Sequence, residues 1–182
     1  MNLTAIILSG GKSSRMGEDK GLMTLDGKSM IQHVIDAIEP LVNEIIIISN
    51  SKEYKRLGYP VYEDIIKEKG PLAGIYTGLC YSKNNTNIIL SCDVPYINKQ
   101  IISFLLDHSE GFDITIPEKN GKTHQLMGIF SGSCLTELKK LIDNDCLKLK
   151  TAFETLNLNV IDANQFDDKL FTNINTKSDI DN

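Results

Sequence analysis

Two stretches in the amino-terminal quarter, residues 3–8 (LTAIIL) and Glu44–Ile48 (EIIII), are apolar at almost every position rather than at every second one. A strand with one wet face alternates apolar and polar residues, so unbroken runs of this kind belong to strands covered on both faces, as in a parallel sheet. The segments between such runs carry the other period. After Gly27, Ile31, Val34, Ile35 and Ile38 fall on one helical face behind a candidate N-cap at Ser29. Leu72, Ile75, Tyr76 and Leu79 do so after Gly70-Pro71, and Pro is accepted at a helix's first turn because its missing N–H has no partner there. Further helices are expected around 101–106 and 135–142, with short ones at 51–57 and 152–156. Further strands are expected at 61–62, 88–90, 114–116, 124–130 and 160–161, and an extended segment at 171–174. Strands alternating with helices of this length imply right-handed crossovers and an α/β fold, a mostly parallel central sheet between two helical layers, here as a single domain over residues 1–182.

Composition narrows the function. Lys and Arg number 19 against 24 Asp and Glu, a net charge of −5, which disfavours a nucleic-acid partner. No apolar run approaches the roughly 20 residues a bilayer helix needs, and no signal sequence precedes Gly10-Gly11, so a cytoplasmic chain is expected. Cys80, Cys92, Cys134 and Cys146 form no CxxC pair and read as small buried hydrophobes.

In a doubly wound sheet the strand-to-helix loops share one edge, where ligands bind. Gly10-Gly11, Asn50, Asp64 and Asp93 each lie just past an expected strand. The loop LSGGKSSRMGEDK (8–20) suits a triphosphate: glycines let N–H groups approach anionic oxygens, and Arg15 and Lys20 can offset phosphate charge. It is neither a Walker P-loop nor a dinucleotide fingerprint, and a flexible basic turn is the alternative reading. Asp93 can hold Mg²⁺ together with substrate phosphates, or cap the turn before Pro95. Asp64 alone also reads as a solvated acid, and His124 as an ordinary loop histidine. His33 and His108 receive no role.

Taken together, residues 8–30 (LSGGKSSRMGEDKGLMTLDGKSM), 70–75 (GPLAGI), 91–97 (SCDVPYI) and 172–176 (TNINT) resemble the molybdenum cofactor guanylyltransferase (MobA) family. The resemblance implies a three-layer, Rossmann-like nucleotidyltransferase fold that joins GMP from GTP to molybdopterin, or molybdenum-molybdopterin, and releases pyrophosphate. It implies that Leu8, Ser9 and Gly10 contact the guanine nucleotide, Lys20 its phosphates, Asp64 the nucleoside, and Asp93 both nucleotide and Mg²⁺, while Gly11 and Arg15 join the candidate site through the phosphate chemistry of the loop. It places His124, Asn173 and Asn175 on the acceptor side, and molybdoenzyme apoproteins downstream. Ser9 stands where the family more often has Ala, and His124-Gln125 where it has His-Pro. The family's Asn after the second strand falls on Ile48, with Asn50 two residues on. Two other readings are a same-fold transferase using CTP or a sugar phosphate, and a non-catalytic nucleotide-binding regulator. Pyrophosphate release with GTP, and with CTP in parallel, discriminates them.

Overall fold

The computed structural model describes residues 2–10, 19–176 and 179. β1 (Leu3–Leu8) is buried at all six positions. A hairpin follows, β2 (Thr24–Leu25) and β3 (Lys28–Ser29), turned by Asp26 (φ 48°) and Gly27 (φ 82°). Two successive positive φ values are what a two-residue hairpin turn requires, and Asp-Gly supplies them at little strain. α1 (Met30–Ile38) starts at the expected place, although Ser29 makes no side-chain cap hydrogen bond.

β4 (Glu44–Ile48), a 3-10 helix at Lys52–Leu57 and β5 (Val61–Tyr62) come next. α2 (Gly70–Tyr81), β6 (Thr86–Ser91), α3 (Lys99–Asp107) and β7 (Ile114–Lys119) continue the alternation. The chain then turns at Asn120-Gly121 into β8 (Lys122–Thr123) and enters β9 (Met127–Ser131), α4 (Leu135–Asp143), α5 (Leu149–Phe153) and β10 (Leu158–Asp162).

The sheet order is β10-β7-β9-β6-β1-β4-β5, with β8 paired to β7. β9 runs antiparallel to both its neighbours, whereas β1, β4, β5 and β6 are mutually parallel. The expected mostly parallel three-layer sheet is therefore present. On one face Ala5, Ile7, Ile45 and Ile47 pack with Ile31, Ile35 and Ile101; on the other Ile6, Leu8, Ile46 and Ile48 pack with Leu72, Ile75 and Leu138. Each isoleucine or leucine among them contributes about 1.5–3 kcal/mol by leaving water, which explains why the runs are unbroken.

Three expectations need correction. The strand expected at 124–130 begins only at Met127, because Met127 N–H donates to His124 O at 3.1 Å and residues 124–126 form a turn. The extended segment at 171–174 opens with a 3-10 turn, Asp168–Phe171, capped by the Asp167 carboxylate. Cys80 is exposed and Cys146 only partly buried, whereas Cys92 and Cys134 are buried as expected. Among the described residues no helix is long and apolar enough to cross a membrane.

α2 lies so close to β1 that a Cβ on Gly78 would stand 3.1 Å from Ile6 Cδ1 and closer still to Ile6 Cγ2. Ile6 is fully buried and cannot swing away. Gly78→Ala is therefore expected to destabilise the protein by about 1–3 kcal/mol, despite alanine's better helix propensity. Urea unfolding checks this; a stabilised variant would mean that the helix can slide.

Candidate active site

Strand register decides which side chains meet. Leu8 lies opposite Ile48 and Ser91, and Ile48 opposite Tyr62, so β5, β4, β1 and β6 end on one row. The backbone bonds extend it: Ser9 N–H donates to Ile48 O at 2.9 Å, Ser49 N–H to Tyr62 O at 2.9 Å, and Cys92 N–H to Leu8 O at 3.0 Å. Ser9, Gly10, Asp64 and Asp93 consequently emerge along one edge.

Asp64 Oδ1 is buried and accepts no hydrogen bond among the described residues. Burial pushes its carboxyl above the usual carboxylate range. It faces Gly74 in α2, where a Cβ would stand 3.6 Å from Asp64 Oδ1 and 3.3 Å from Leu8 Cδ2. The absent side chain leaves a cradle between Leu8 and Asp64, with an acceptor in need of a donor.

Asp93 and Lys20 are joined through the carboxy-terminal segment. Asn173 Nδ2 donates to Asp93 Oδ1 at 3.0 Å, Ile174 N–H donates to Asp93 O at 2.9 Å, and Lys20 Nζ donates to Asn175 Oδ1 at 2.7 Å. The Asp179 carboxylate accepts from Asn175 N–H and Thr176 N–H at 2.8 and 2.9 Å, and these donors hold its carboxyl below the usual range. Upstream, the nearly buried Lys119 donates to Asn164 O and Phe166 O at 3.0 and 2.6 Å and pairs with Asp168 at 2.9 Å. Lys119 thus anchors the segment that delivers Asn173 and Asn175.

His124 sits in the turn before β9, half-buried, its ring 4.8 Å from that of Phe171. With Lys122, Leu149, Asn173 and Asn175 it lines a cavity of about 340 Å³. Burial, with Lys122 nearby, lowers its pKa, so neutral imidazole is the favoured form at neutral pH.

Among the described residues no three His, Cys, Asp or Glu side chains converge as a metal cage. One carboxylate beside room for phosphates fits Mg²⁺, which keeps water and substrate oxygens in its shell. Asp93 offers that carboxylate.

Residues 5–158 match the model of the MobA-like NTP transferase domain. A Flavobacterium johnsoniae protein named "Probable molybdenum cofactor guanylyltransferase" is 39% identical over 98% of this chain and 94% of its own. A Yersinia pestis molybdenum cofactor guanylyltransferase is 34% identical over 99% and 94%. The chain belongs to the molybdenum cofactor guanylyltransferase family. As a member, it is a nucleotidyltransferase, and enzymes of this family generally use a divalent metal. The fold agrees with the solved molybdopterin-guanine dinucleotide biosynthesis protein A of Archaeoglobus fulgidus, with a TM-score of 0.81 at 24% identity over 98% of this chain and 95% of that one.

Of the residues that the family resemblance singles out, the structure brings Leu8 beside Asp64, and Lys20, Asp93, Asn173 and Asn175 into one hydrogen-bonded group. Gly11 and Arg15 lie outside the described residues. Asn50 is exposed past β4, while the preceding Ser49 is buried and its hydroxyl accepts from Ser51 N–H at 3.1 Å. His33 and His108 bond the backbone carbonyls of Leu25 and Phe104, as befits residues without a role. Sequence reasoning passed over Lys119 and Tyr54. The Tyr54 hydroxyl accepts from Ser9 Oγ and donates to Asp19 Oδ1, contacts between distant positions that no local motif signals.

Asp64 generates a two-sided prediction. Because its folded-state pKa is raised, the unfolded chain ionises first as pH rises, and ionisation costs stability above the ordinary carboxylate range. Asp64→Asn is expected to raise the denaturation midpoint at pH 7, by an amount that vanishes as pH falls below the unfolded pKa, while weakening nucleotide binding. Urea melts at pH 3.5 and 7 with a nucleotide titration check both halves; a variant less stable at pH 7 would show that the charge is welcome where it sits.

Proposed function

We propose that this chain transfers GMP from GTP to molybdopterin, or its molybdenum-loaded form, releasing pyrophosphate and making the guanine dinucleotide cofactor for molybdoenzyme apoproteins. The cytosol is the proposed compartment, where free thiols such as Cys80 stay reduced. One observation carries the reading: the Asn173–Asp93 and Lys20–Asn175 hydrogen bonds draw nucleotide-side and acceptor-side residues to a single edge. The relatives named above supply the identities of donor and acceptor.

In this scheme Leu8, Ser9 and Gly10 seat the nucleoside end of GTP, and Asp64 receives a donor from it. Lys20, freed from Asn175, turns its ammonium to the phosphates. An oxygen of molybdopterin's terminal phosphate attacks the α-phosphorus in line, the bond to the bridging oxygen breaks, and its electrons leave with pyrophosphate. A phosphate with a second pKa of about 6 is already mostly dianionic at neutral pH, so no protein base is required. Mg²⁺, held by Asp93 and the phosphates, would supply charge neutralisation on the triphosphate. His124 and Asn173 hold the acceptor's anionic end by hydrogen bonds, His124 in its neutral form.

The deciding assay is pyrophosphate release with GTP, Mg²⁺ and molybdopterin, omitting each in turn, with CTP in parallel. Release with GTP that depends on molybdopterin is expected; equal release with CTP would favour another nucleotide. Asp93→Asn should fold normally and lose about a hundredfold in turnover. Near-parental turnover at saturating Mg²⁺ would remove Asp93 as the metal ligand. His124→Ala should raise KM for molybdopterin and leave GTP binding almost untouched, and a variant that loses GTP affinity instead would move His124 to the nucleotide side.

A further inference from the structure

Tyr54 is fully buried, packed among the core residues beneath α1 and α3. Its hydroxyl reaches out of that core, accepting from Ser9 Oγ and donating to Asp19 Oδ1. Ser9 follows the last residue of β1, just before the glycine loop, and Asp19 caps the 3-10 turn Lys20–Leu22 just after it. One phenolic oxygen therefore ties the two sides of the loop together. The same Asp19 oxygen accepts Gly21 N–H at 3.2 Å, which closes the turn that presents Lys20. Slack is small: a Cβ on Gly21 would stand 2.8 Å from Ser9 Oγ and 3.1 Å from Cys92 Sγ. The relay is also directional. Burial above all, with Asp19 alongside, keeps the phenol protonated well above neutral pH, so it stays a donor to the carboxylate. A phenyl ring could fill the same space but would strip a partner from two groups at once.

The geometry points to Tyr54 as a positioning residue for nucleotide transfer, setting Lys20 through Asp19 and the end of β1 through Ser9. This rests on the nucleotide-binding roles proposed above for Lys20 and Ser9. Tyr54 touches no substrate; it fixes where the groups that do so stand. Misplacing such groups by an ångström can cost about a hundredfold in rate.

The experiment compares parent and Tyr54→Phe in three ways: steady-state kinetics with GTP and molybdopterin, thermal melting, and amide exchange of the nucleotide-free proteins. Tyr54→Phe is expected to fold, to raise KM for GTP and lower kcat by about tenfold each, and to leave KM for molybdopterin within about twofold. The Gly21 amide, released from its hold on Asp19, should exchange faster. Asp19→Asn keeps an acceptor oxygen and should retain most activity. Asp19→Leu should reproduce Tyr54→Phe, and combining the two should add little. If Tyr54→Phe does not fold, Asp19→Leu, which leaves the ring in place, carries the same test. Unchanged GTP kinetics with unchanged Gly21 exchange would overturn the inference, as would losses equal for both substrates that track the melting temperature. A parent inactive with GTP would refute the proposed reaction alone, since faster Gly21 exchange in Tyr54→Phe would still uphold the clamp and unchanged exchange would still sink it.

Discussion

The ladder that holds β1 between β4 and β6 is the constraint on which the remainder depends. β1 has parallel neighbours on both sides and helices over both faces, so its backbone groups have no recourse to water and must be met by the two adjoining strands. The same ladder sets register. A slip of one residue would exchange Ala5 and Ile7, which face α1 and α3, with Ile6 and Leu8, which face α2 and α4. It would also move Leu8 away from Asp64 and Gly74. Core packing and site geometry are therefore fixed by one set of hydrogen bonds, and the edge beyond Leu8 is free to carry polar groups because the core has been completed below it.

Two charged groups, Lys119 buried and Asp64 half-buried, separate support from chemistry. Lys119 is almost wholly enclosed, yet its ammonium is met by two carbonyls and the Asp168 carboxylate. An ammonium satisfied in this way acts as a tether, and here the tethered segment carries Asn173 and Asn175. Asp64 is the opposite case. Its Oδ1 is buried with no partner among the described residues, an arrangement that costs stability unless something else compensates. A ligand donor at the Leu8–Gly74 cradle would be such a compensation. The contrast supports, independently of kinship, the proposed place of the nucleoside.

What could be read from the chain depended on whether its partners were near in sequence. The unbroken apolar runs announced β1 and β4, and helix periodicity located α1, α2, α3 and α4, because both signals are local. The hairpin of β2 and β3 was legible too, in Asp26-Gly27, but its strands are two residues each and were passed over. Lys20 and Asp93 stood out beside glycines and a proline. Tyr54 did not, since nothing around it in the sequence points to Ser9 or Asp19, and Lys119 looked like one more charge in a polar turn. The strand expected from His124 to Phe130 was too long because apolar content does not distinguish Leu126, in the turn, from Met127, in the ladder. Ser29 had the right chemistry for a cap, yet β3 delivers it to α1 without using the hydroxyl.

The antiparallel strand explains how one edge can serve two substrates. In the parallel part of the sheet only strand ends reach that edge, and β5, β4 and β1 bring Asp64, Ser49, Ser9 and Gly10 to it. A further parallel strand would bring another end and require another crossover. β9 runs the other way, so it starts where the others stop, and the turn before it puts His124 and Gln125 at the same level; Ser91 N–H donating to Leu126 O at 3.0 Å fixes that level. β6 is the seam, pairing in parallel with β1 and antiparallel with β9. Asp93 leaves the sheet at this seam, and Asn173 reaches it from the carboxy-terminal segment. A carboxylate placed there stands between the edge built by strand ends and the edge built by a strand start. That is the position from which Asp93 would hold a divalent metal in the proposed reaction.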